Sequence, residues 1–458
     1  VKILNKYLFV FSTGLMSLFF TLPVYAFSVL DAYALALEND PTFQAALKER
    51  DAGHEEENIG KAGLLPRISL NYQNSPKNWQ TQKYQSSDPF GNLSEVTKRQ
   101  QYRSYAGSVS LTQTIFDYEA YAKYKAGIAK SLMANDRFRS KFMNLAVRVI
   151  SSYINVVDAQ EKMSLAAAQK TAYKEQLILN ERLMSAGEGT ITDIAETQAR
   201  SNLAEAQLIE SKDNLDVAER ELQAIVGVPL EQLDSLQMLR TSTFNTLPLR
   251  FNKVTEWEEN ARKHNPELSA SRYEVKAARY EVERNKAGFM PQFQLYASHS
   301  ENNSSSDNTI NQKYRTDSIG LQVSMPIYSG GGVIASTRQA AARYGQAKYE
   351  LDAQSSALMI DLHKQFNQCI NGKDKLHAYE SAVKSARVQV IATRQSVRGG
   401  QRVNVDVLNA EERLYSAERD FAEAKLSYVK AYIGLLNDAG LLEYSDLLSV
   451  AQYFTPTS

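Results

Sequence analysis

The chain has 458 residues, with 52 basic and 52 acidic side chains and a formal net charge of zero, which leaves no electrostatic case for a nucleic-acid partner. A single cysteine, Cys369, excludes an internal disulfide. The five histidines (His54, His264, His299, His363, His377) fall into no ligand spacing, so neither a metal nor a cofactor is expected.

The first segment, 1–26, reads as a secretory signal peptide. Lys2 and Lys6 precede an apolar run from Leu8 to Leu22, and Pro23 then leads to the small-residue cleavage site Val24-Tyr25-Ala26. The run is short for a transmembrane anchor. Phe27 follows it in place of a cysteine, so no thiol is offered for lipidation. No later stretch has the length of apolar sequence that a spanning helix needs, so any return to a membrane must be as β-strands.

The remainder repeats itself. Lys61-Ala62-Gly63-Leu64-Leu65-Pro66 returns as Lys286-Ala287-Gly288-Phe289-Met290-Pro291, and Pro41 as Pro266, both at an offset of 225 (286 − 61, 266 − 41). Gly187, Asp193 and Gly227 return as Gly400, Asp406 and Gly440 at an offset of 213 (400 − 187). Residues 27–250 and 251–440 are therefore read as two copies of one unit, with 441–458 as a C-terminal tail.

Each copy opens with a helix, 29–63 or 254–288, interrupted at Pro41 or Pro266. The period then changes to two. Ile68, Leu70 and Tyr72 alternate with Ser69, Asn71 and Gln73; Val109 and Leu111 alternate with Ser108, Ser110 and Thr112. In copy two Phe293, Leu295 and Ala297 alternate with Gln292, Gln294 and Tyr296, and Ile319, Leu321 and Val323 with Gly320, Gln322 and Ser324. One face is oily and the other is uncharged polar, as in a barrel lumen. The intervening segments, 75–102 and 301–314, are polar and read as loops.

Two hairpins supply four strands, too few to close a membrane barrel, and an open edge in lipid costs several kcal/mol per unpaired backbone group. The barrel must be shared between chains: two would give eight strands, three would give twelve and a lumen.

Long helices follow, 117–186 and 333–398, the first on the order of 100 Å at about 1.5 Å per residue. Each ends at a glycine-containing turn, Gly187-Glu188-Gly189 or Gly399-Gly400, and a second helix returns. The returning helices carry heptad seams. One is Val407, Ala410, Leu414, Ala417, Phe421, Ala424, Tyr428, Ala431, Leu435; the other is Ile194, Thr197, Ser201, Ala204, Leu208, Ser211, Leu215, Ala218, Leu222. A sustained 3.5 repeat implies supercoiled helices in knobs-into-holes contact.

The duplicated Asn/Asp-Pro helix start, the Ala-Gly-x-x-Pro helix-to-strand joint, the two strand pairs, and the turns ending in Thr192-Asp193-Ile194 and Val405-Asp406-Val407-Leu408 together resemble the TolC family of outer membrane channel proteins. The resemblance covers essentially the whole chain after the signal. It implies a mixed α and β membrane protein: a homotrimer with a shared twelve-stranded outer membrane barrel, and very long helices forming a periplasmic α-barrel. It also implies a periplasmic adaptor and an inner-membrane ABC transporter as partners, docking at the helical tips around Gly187, Gly189, Gly399 and Gly400.

The resemblance further implies a periplasmic gate. Asp406 matches the first ring of acidic side chains that narrows the entrance; Asn409 stands where the second acid is expected. Arg402 matches an arginine that ties the inner helices to the neighbouring pair, with Thr192 as its counterpart. Asp193 matches a further latch residue, whose tyrosine partner is replaced by Val397. For Asp406 a helix N-cap is the alternative to a gate, and for Asp193 cap and latch stand equal.

No nucleophile elbow, phosphate-binding loop or Cys-His pair appears, so no enzyme is expected. Details such as Asn39-Asp40-Pro41-Thr42-Phe43 and the form of the tip turns resemble the outer membrane components of type I (ABC-driven) protease and lipase secretion. The expected cargo is thus a secreted protein, with drug or small-molecule efflux as the alternative. A periplasmic coiled-coil adaptor or surface adhesin is the reading from another class, and the alternating strands argue against it.

Overall fold

The computed structural model describes residues 27–229, 237–239, 244, 246–304 and 310–455, so the signal segment lies outside the described residues. Copy one comprises α1 (Val29–Asn39), α2 (Pro41–Lys61), β1 (Arg67–Ser87), β2 (Leu93–Phe116), α3 (Tyr118–Ser185) and α4 (Ile191–Val226). A short strand, β3 (Met238–Leu239), follows. Copy two comprises α5 (Val254–His264), α6 (Pro266–Lys286), β4 (Gln292–Asn303), β5 (Lys313–Ser324), α7 (Gly332–Ile370), α8 (Gly372–Arg398) and α9 (Asn404–Asp438). Helix α10 (Tyr444–Ala451) and strand β6 (Phe454–Thr455) come last.

The repeated landmarks are local structural devices. Asp40 and Asn265 are N-caps: each accepts a backbone N–H at 3.0 Å, from Phe43 and Leu268, and each is followed by proline at the first helical position. The Ala-Gly-x-x-Pro joint is a 3-10 turn, Ala62–Leu64 or Ala287–Phe289, that releases the chain into a strand after Pro66 or Pro291. Helix α3 is unbroken over 68 residues. Its counterpart departs from the expected single helix over 333–398: α7 and α8 part at Asn371. There the next residue, Gly372, lies so close to Tyr428 that a Cβ would stand 2.6 Å from the ring.

Both copies share one apolar core at mid-length. Trp257, Tyr153, Leu222, Leu268, Leu362 and Leu435 are almost wholly excluded from solvent. The polar tips of the aromatics are satisfied: Trp257 Nε1 donates to the Phe251 carbonyl at 3.0 Å, and the Tyr153 hydroxyl donates to the Phe27 carbonyl at 2.9 Å. Truncating one of these leucines to alanine costs about 2–5 kcal/mol. The segment read as a tail is part of this core: Leu447, Val450 and Phe454 are buried, and β6 pairs antiparallel with β3, an element that sequence patterning missed. Among the described residues no helix is long and apolar enough to cross a membrane.

The four expected strands form one antiparallel sheet in the order β1-β2-β4-β5, leaving β1 and β5 as edges. Its register aligns Ile68, Leu111, Ala297 and Ile319 across one face and Ser69, Ser110, Ser298 and Ser318 across the other. The apolar face is bare: Leu70 is 75% and Ile319 78% exposed. The expected loop over 75–102 is largely strand. β1 and β2 stay paired to Ser87↔Leu93, through a bulge between Ser75 and Asn78, and only 88–92 turn. Cross-strand pairing sustains this hairpin where side-chain alternation gives no sign of it. It overshoots β4, whose last partner on β2 is Tyr105, by about 40 Å of strand.

Candidate functional site at the helical tips

Helices α3 and α4, and α8 and α9, are joined by tight turns of one design. The Glu188 amide donates to the Leu183 carbonyl at 2.9 Å and the Gly187 amide to that of Met184 at 3.0 Å; Gln401 to Ser396 at 2.9 Å and Gly400 to Val397 at 3.0 Å repeat the pair. This is the Schellman closure, and it needs a left-handed residue after the helix. Gly187 (φ +80°) and Gly400 (φ +70°) supply it in open space, so the dihedral and not crowding selects glycine. Gly189 serves close approach, since a Cβ there would meet the Met184 nitrogen at 2.8 Å; Gly399 has an ordinary φ of −83°.

The starts of the returning helices differ. Thr190 caps α4 and Asp193 completes a capping box: the Thr190 hydroxyl donates to the Asp193 carboxylate at 2.6 Å, and the Asp193 amide donates back at 3.1 Å. Asp193 is therefore a cap within this chain. Helix α9 starts at Val403, which has no side chain to cap with. Asp406 occupies the position matching Asp193, half-buried, and no donor among the described residues reaches its carboxylate. It faces only the favourable end of the helix dipole.

A buried polar cluster joins the two hairpins. Thr197 of α4 donates to the Asp193 carbonyl at 2.7 Å and accepts from Asn180 of α3 at 2.8 Å and from Asn404 of α9 at 3.1 Å. Gln176 of α3 donates to the Asn404 side-chain oxygen at 2.8 Å. Thr197, Asn180 and Asn404 are all buried, so each bond is shielded from water. One turn further on, Arg200 of α4 reaches α9, donating to Glu412 at 2.5 Å and to the Asn409 side-chain oxygen at 3.1 Å. Within the second hairpin Arg394 donates twice to the buried Glu411, at 3.1 and 2.5 Å. Burial, then the nearby Glu411 and Glu418, pushes the Tyr415 hydroxyl up to about 12.

A cavity of about 490 Å³ lies higher along the helices, but one of about 730 Å³ opens at the tips and brings Asp193, Arg402, Val397 and Asn404 to one wall system. Thr192, Asp406 and Asn409 do not line it. Arg402 and Thr192 are both exposed, and among the described residues neither bonds the other. Gln176, Asn180, Asn404 and Arg200 were not singled out by sequence reasoning. Thr197 was placed on the seam only as a small residue. The available signal was an amide at the first helical position of α9 where the other copy has Ile191.

The family profile described as "Outer membrane efflux protein" matches residues 32–228 and 257–441. The alkaline protease secretion protein AprF of Pseudomonas aeruginosa is 43% identical over 436 residues, covering 94% of this chain and 88% of its own. The proteases secretion protein PrtF of Dickeya chrysanthemi is 43% identical over 429 residues, covering 94% of this chain and 91% of its own. Among solved structures, the outer membrane protein VceC of Vibrio cholerae superposes with a TM-score of 0.73 at 17% identity, over 90% of this chain and 96% of that one.

Proposed function

This chain belongs to the outer membrane efflux protein family, the TolC-like channels, and on that premise we propose that it is the outer membrane conduit of a type I protein secretion system. The cargo class is a secreted protease or lipase, handed over by an inner-membrane ABC transporter and a periplasmic adaptor. The observation that carries the cargo choice is near-full-length similarity, 43% identity in each case, to two proteins named for protease secretion. The chain sits in the outer membrane and extends into the periplasm, with the bare apolar face of the sheet toward lipid.

The conduit works by shape. Three copies would bring the four-stranded sheets to twelve strands and give the exposed faces of α4 and α8 partners. The mainly Ser/Thr/Asn/Gln face then lines the lumen, with Arg67 and Lys98 its charged members among the described strand residues, so little fixed charge opposes a passing polypeptide. At the tips, Asp406 supplies the anion of the ring; Asn409 is a neutral amide whose side-chain oxygen is already held by Arg200. Arg402, exposed and without a partner among the described residues, is the donor available to Thr192 of a neighbour. The turns around Gly187, Gly189, Gly399 and Gly400 are the surface offered to the adaptor.

The family description keeps small-molecule efflux as the second reading. Deleting the gene and comparing culture supernatants and drug susceptibility separates the two. Loss of one or a few secreted proteins at unchanged susceptibility is expected. An intact supernatant with heightened drug sensitivity would overturn the cargo assignment.

A further inference from the structure

The lipid-facing side of the sheet continues beyond the lipid. On β2 the outward residues are the odd-numbered ones, from Ile115 through Leu111 and Val109 to Tyr105, as the register with Ile68, Leu70 and Ile319 fixes. At about 3.3 Å per residue and a tilt of about 40°, 105–115 spans about 25 Å of height, the depth of a barrel's apolar band. Tyr105 and Tyr72 then mark its upper border, where aromatic residues gather.

On β1 and β2 the same face turns basic above that border; on β4 and β5 charge begins lower, with Glu301 and Arg315 level with Gly107 and the His299–Asp317 pair level with Val109. β2 presents Arg103, Gln101, Arg99 and Thr97 in sequence. The bulge between Ser75 and Asn78 shifts the alternation on β1, so Trp79, Thr81 and Lys83 join them opposite Gln101, Arg99 and Thr97. All are exposed. Lys313 and Arg315 flank from β5 but share one carboxylate, Glu301, with the Arg315 contact at 3.9 Å. Lys83 has Glu95 at 3.6 Å. Arg99 and Arg103 have no carboxylate among the described residues. The inward face at this height is mainly Asn78, Gln80, Gln82, Gln100 and Tyr102, with Lys98 its one cation, so the charge is sorted outward.

We propose that this face is a binding surface for the phosphate groups of the anionic glycolipid of the surrounding leaflet. Arg99 and Arg103 are the principal contacts, and Trp79, opposite Gln101, lies between them on the same face. The inference rests on the sheet's seating in the outer membrane and goes beyond transport. Lipid is the occupant because the surface continues the lipid-covered band and begins within one strand repeat of it. The guanidinium fork matches phosphate oxygens two at a time, which a lysine ammonium does not.

The test is a titration of the detergent-purified full chain with bis-phosphorylated lipid A and with lipid A stripped of phosphate, read by native mass spectrometry. Wild type is expected to prefer the phosphorylated form. The double variant Arg99→Gln/Arg103→Gln should bind that form roughly tenfold or more weaker and lose the preference. Arg99→Lys/Arg103→Lys should recover part of it. Equal binding of both lipids by wild type overturns the proposal whatever the variants do, as does undiminished binding by the glutamine variant. Protease secretion by the same strains reports on the conduit separately: a variant that secretes normally but binds as wild type sinks the lipid surface alone.

Discussion

The two helical tips share a backbone and differ in how their side chains close. The α3–α4 tip is self-contained: Thr190 and Asp193 cap its returning helix and Asn180 and Thr197 bind it from within. The α8–α9 tip has Val403 where a cap belongs, and among the described residues the side chains of Arg402 and Asp406 have no bonding partner. Asn404 attaches it, buried against the first hairpin beside Leu408, which packs with Tyr173 and Ala204; the offset counterpart of Asn404, Ile191, is 69% exposed. Duplication kept the turn and redistributed the bonds, giving one anchored tip and one tip with bonding capacity to spare. A gate needs that division: a fixed post and a part that exchanges partners.

Breaking the shared cluster should have the largest effect. Thr197→Val keeps the shape but strands the donors of Asn180 and Asn404, at about 2–3 kcal/mol. Hydrogen exchange at both tips should accelerate together; acceleration confined to α4 would show that the hairpins are not coupled there. The far ends of the hairpins extend the contrast, since α9 ends on Asp438 where α4 has Ile225. Burial, with Asp361 and Glu267 nearby, pushes the Asp438 carboxyl from 3.8 up to about 6. The folded chain thus binds this proton more tightly than the unfolded one. The charged form costs stability above about pH 6, and the cost fades as pH falls toward 3.8. Asp438→Asn should stabilise the fold at pH 7.5 by on the order of 1–3 kcal/mol, read as a higher Tm, with little gain at pH 4; a gain independent of pH would assign it to packing.

Next comes the cap. Asp193→Ala should cost about 1 kcal/mol in local opening of α4, and Asp406→Ala less than about 0.5. Equal costs would erase the distinction drawn between the two acids. Asp406→Ala should instead abolish block of the pore by polyvalent cations in planar bilayers. Arg402→Ser should leave thermal stability unchanged within about 0.5 kcal/mol yet raise single-channel conductance. Unchanged conductance would remove Arg402 from the gate.

Much of this was legible because it is written locally. Asp40-Pro41 and Asn265-Pro266 are caps whose chemistry lies within four residues, and Gly187 and Gly400 are dihedral requirements. Both seams read as drawn, every member buried or half-buried. The upper half of the β1–β2 hairpin escaped because strands with water on both faces have no reason to alternate apolar and polar residues. The break at Asn371 escaped because the ring packed on the next residue, Gly372, is that of Tyr428 on another helix. The tip cluster escaped for the same reason: Gln176, Thr197 and Asn404 sit on three helices, and only folding makes them neighbours.

The two unpaired edges, β1 and β5, bear on how the protein is made as well as on what it is. A lone chain entering the bilayer would carry two rows of unbonded amides and carbonyls into hydrocarbon. If the barrel is shared between copies as proposed, insertion and oligomerisation are one event, and the assembly rate should climb steeply with chain concentration. An unmatched chain is, on this account, a substrate for periplasmic proteolysis and never a partial pore.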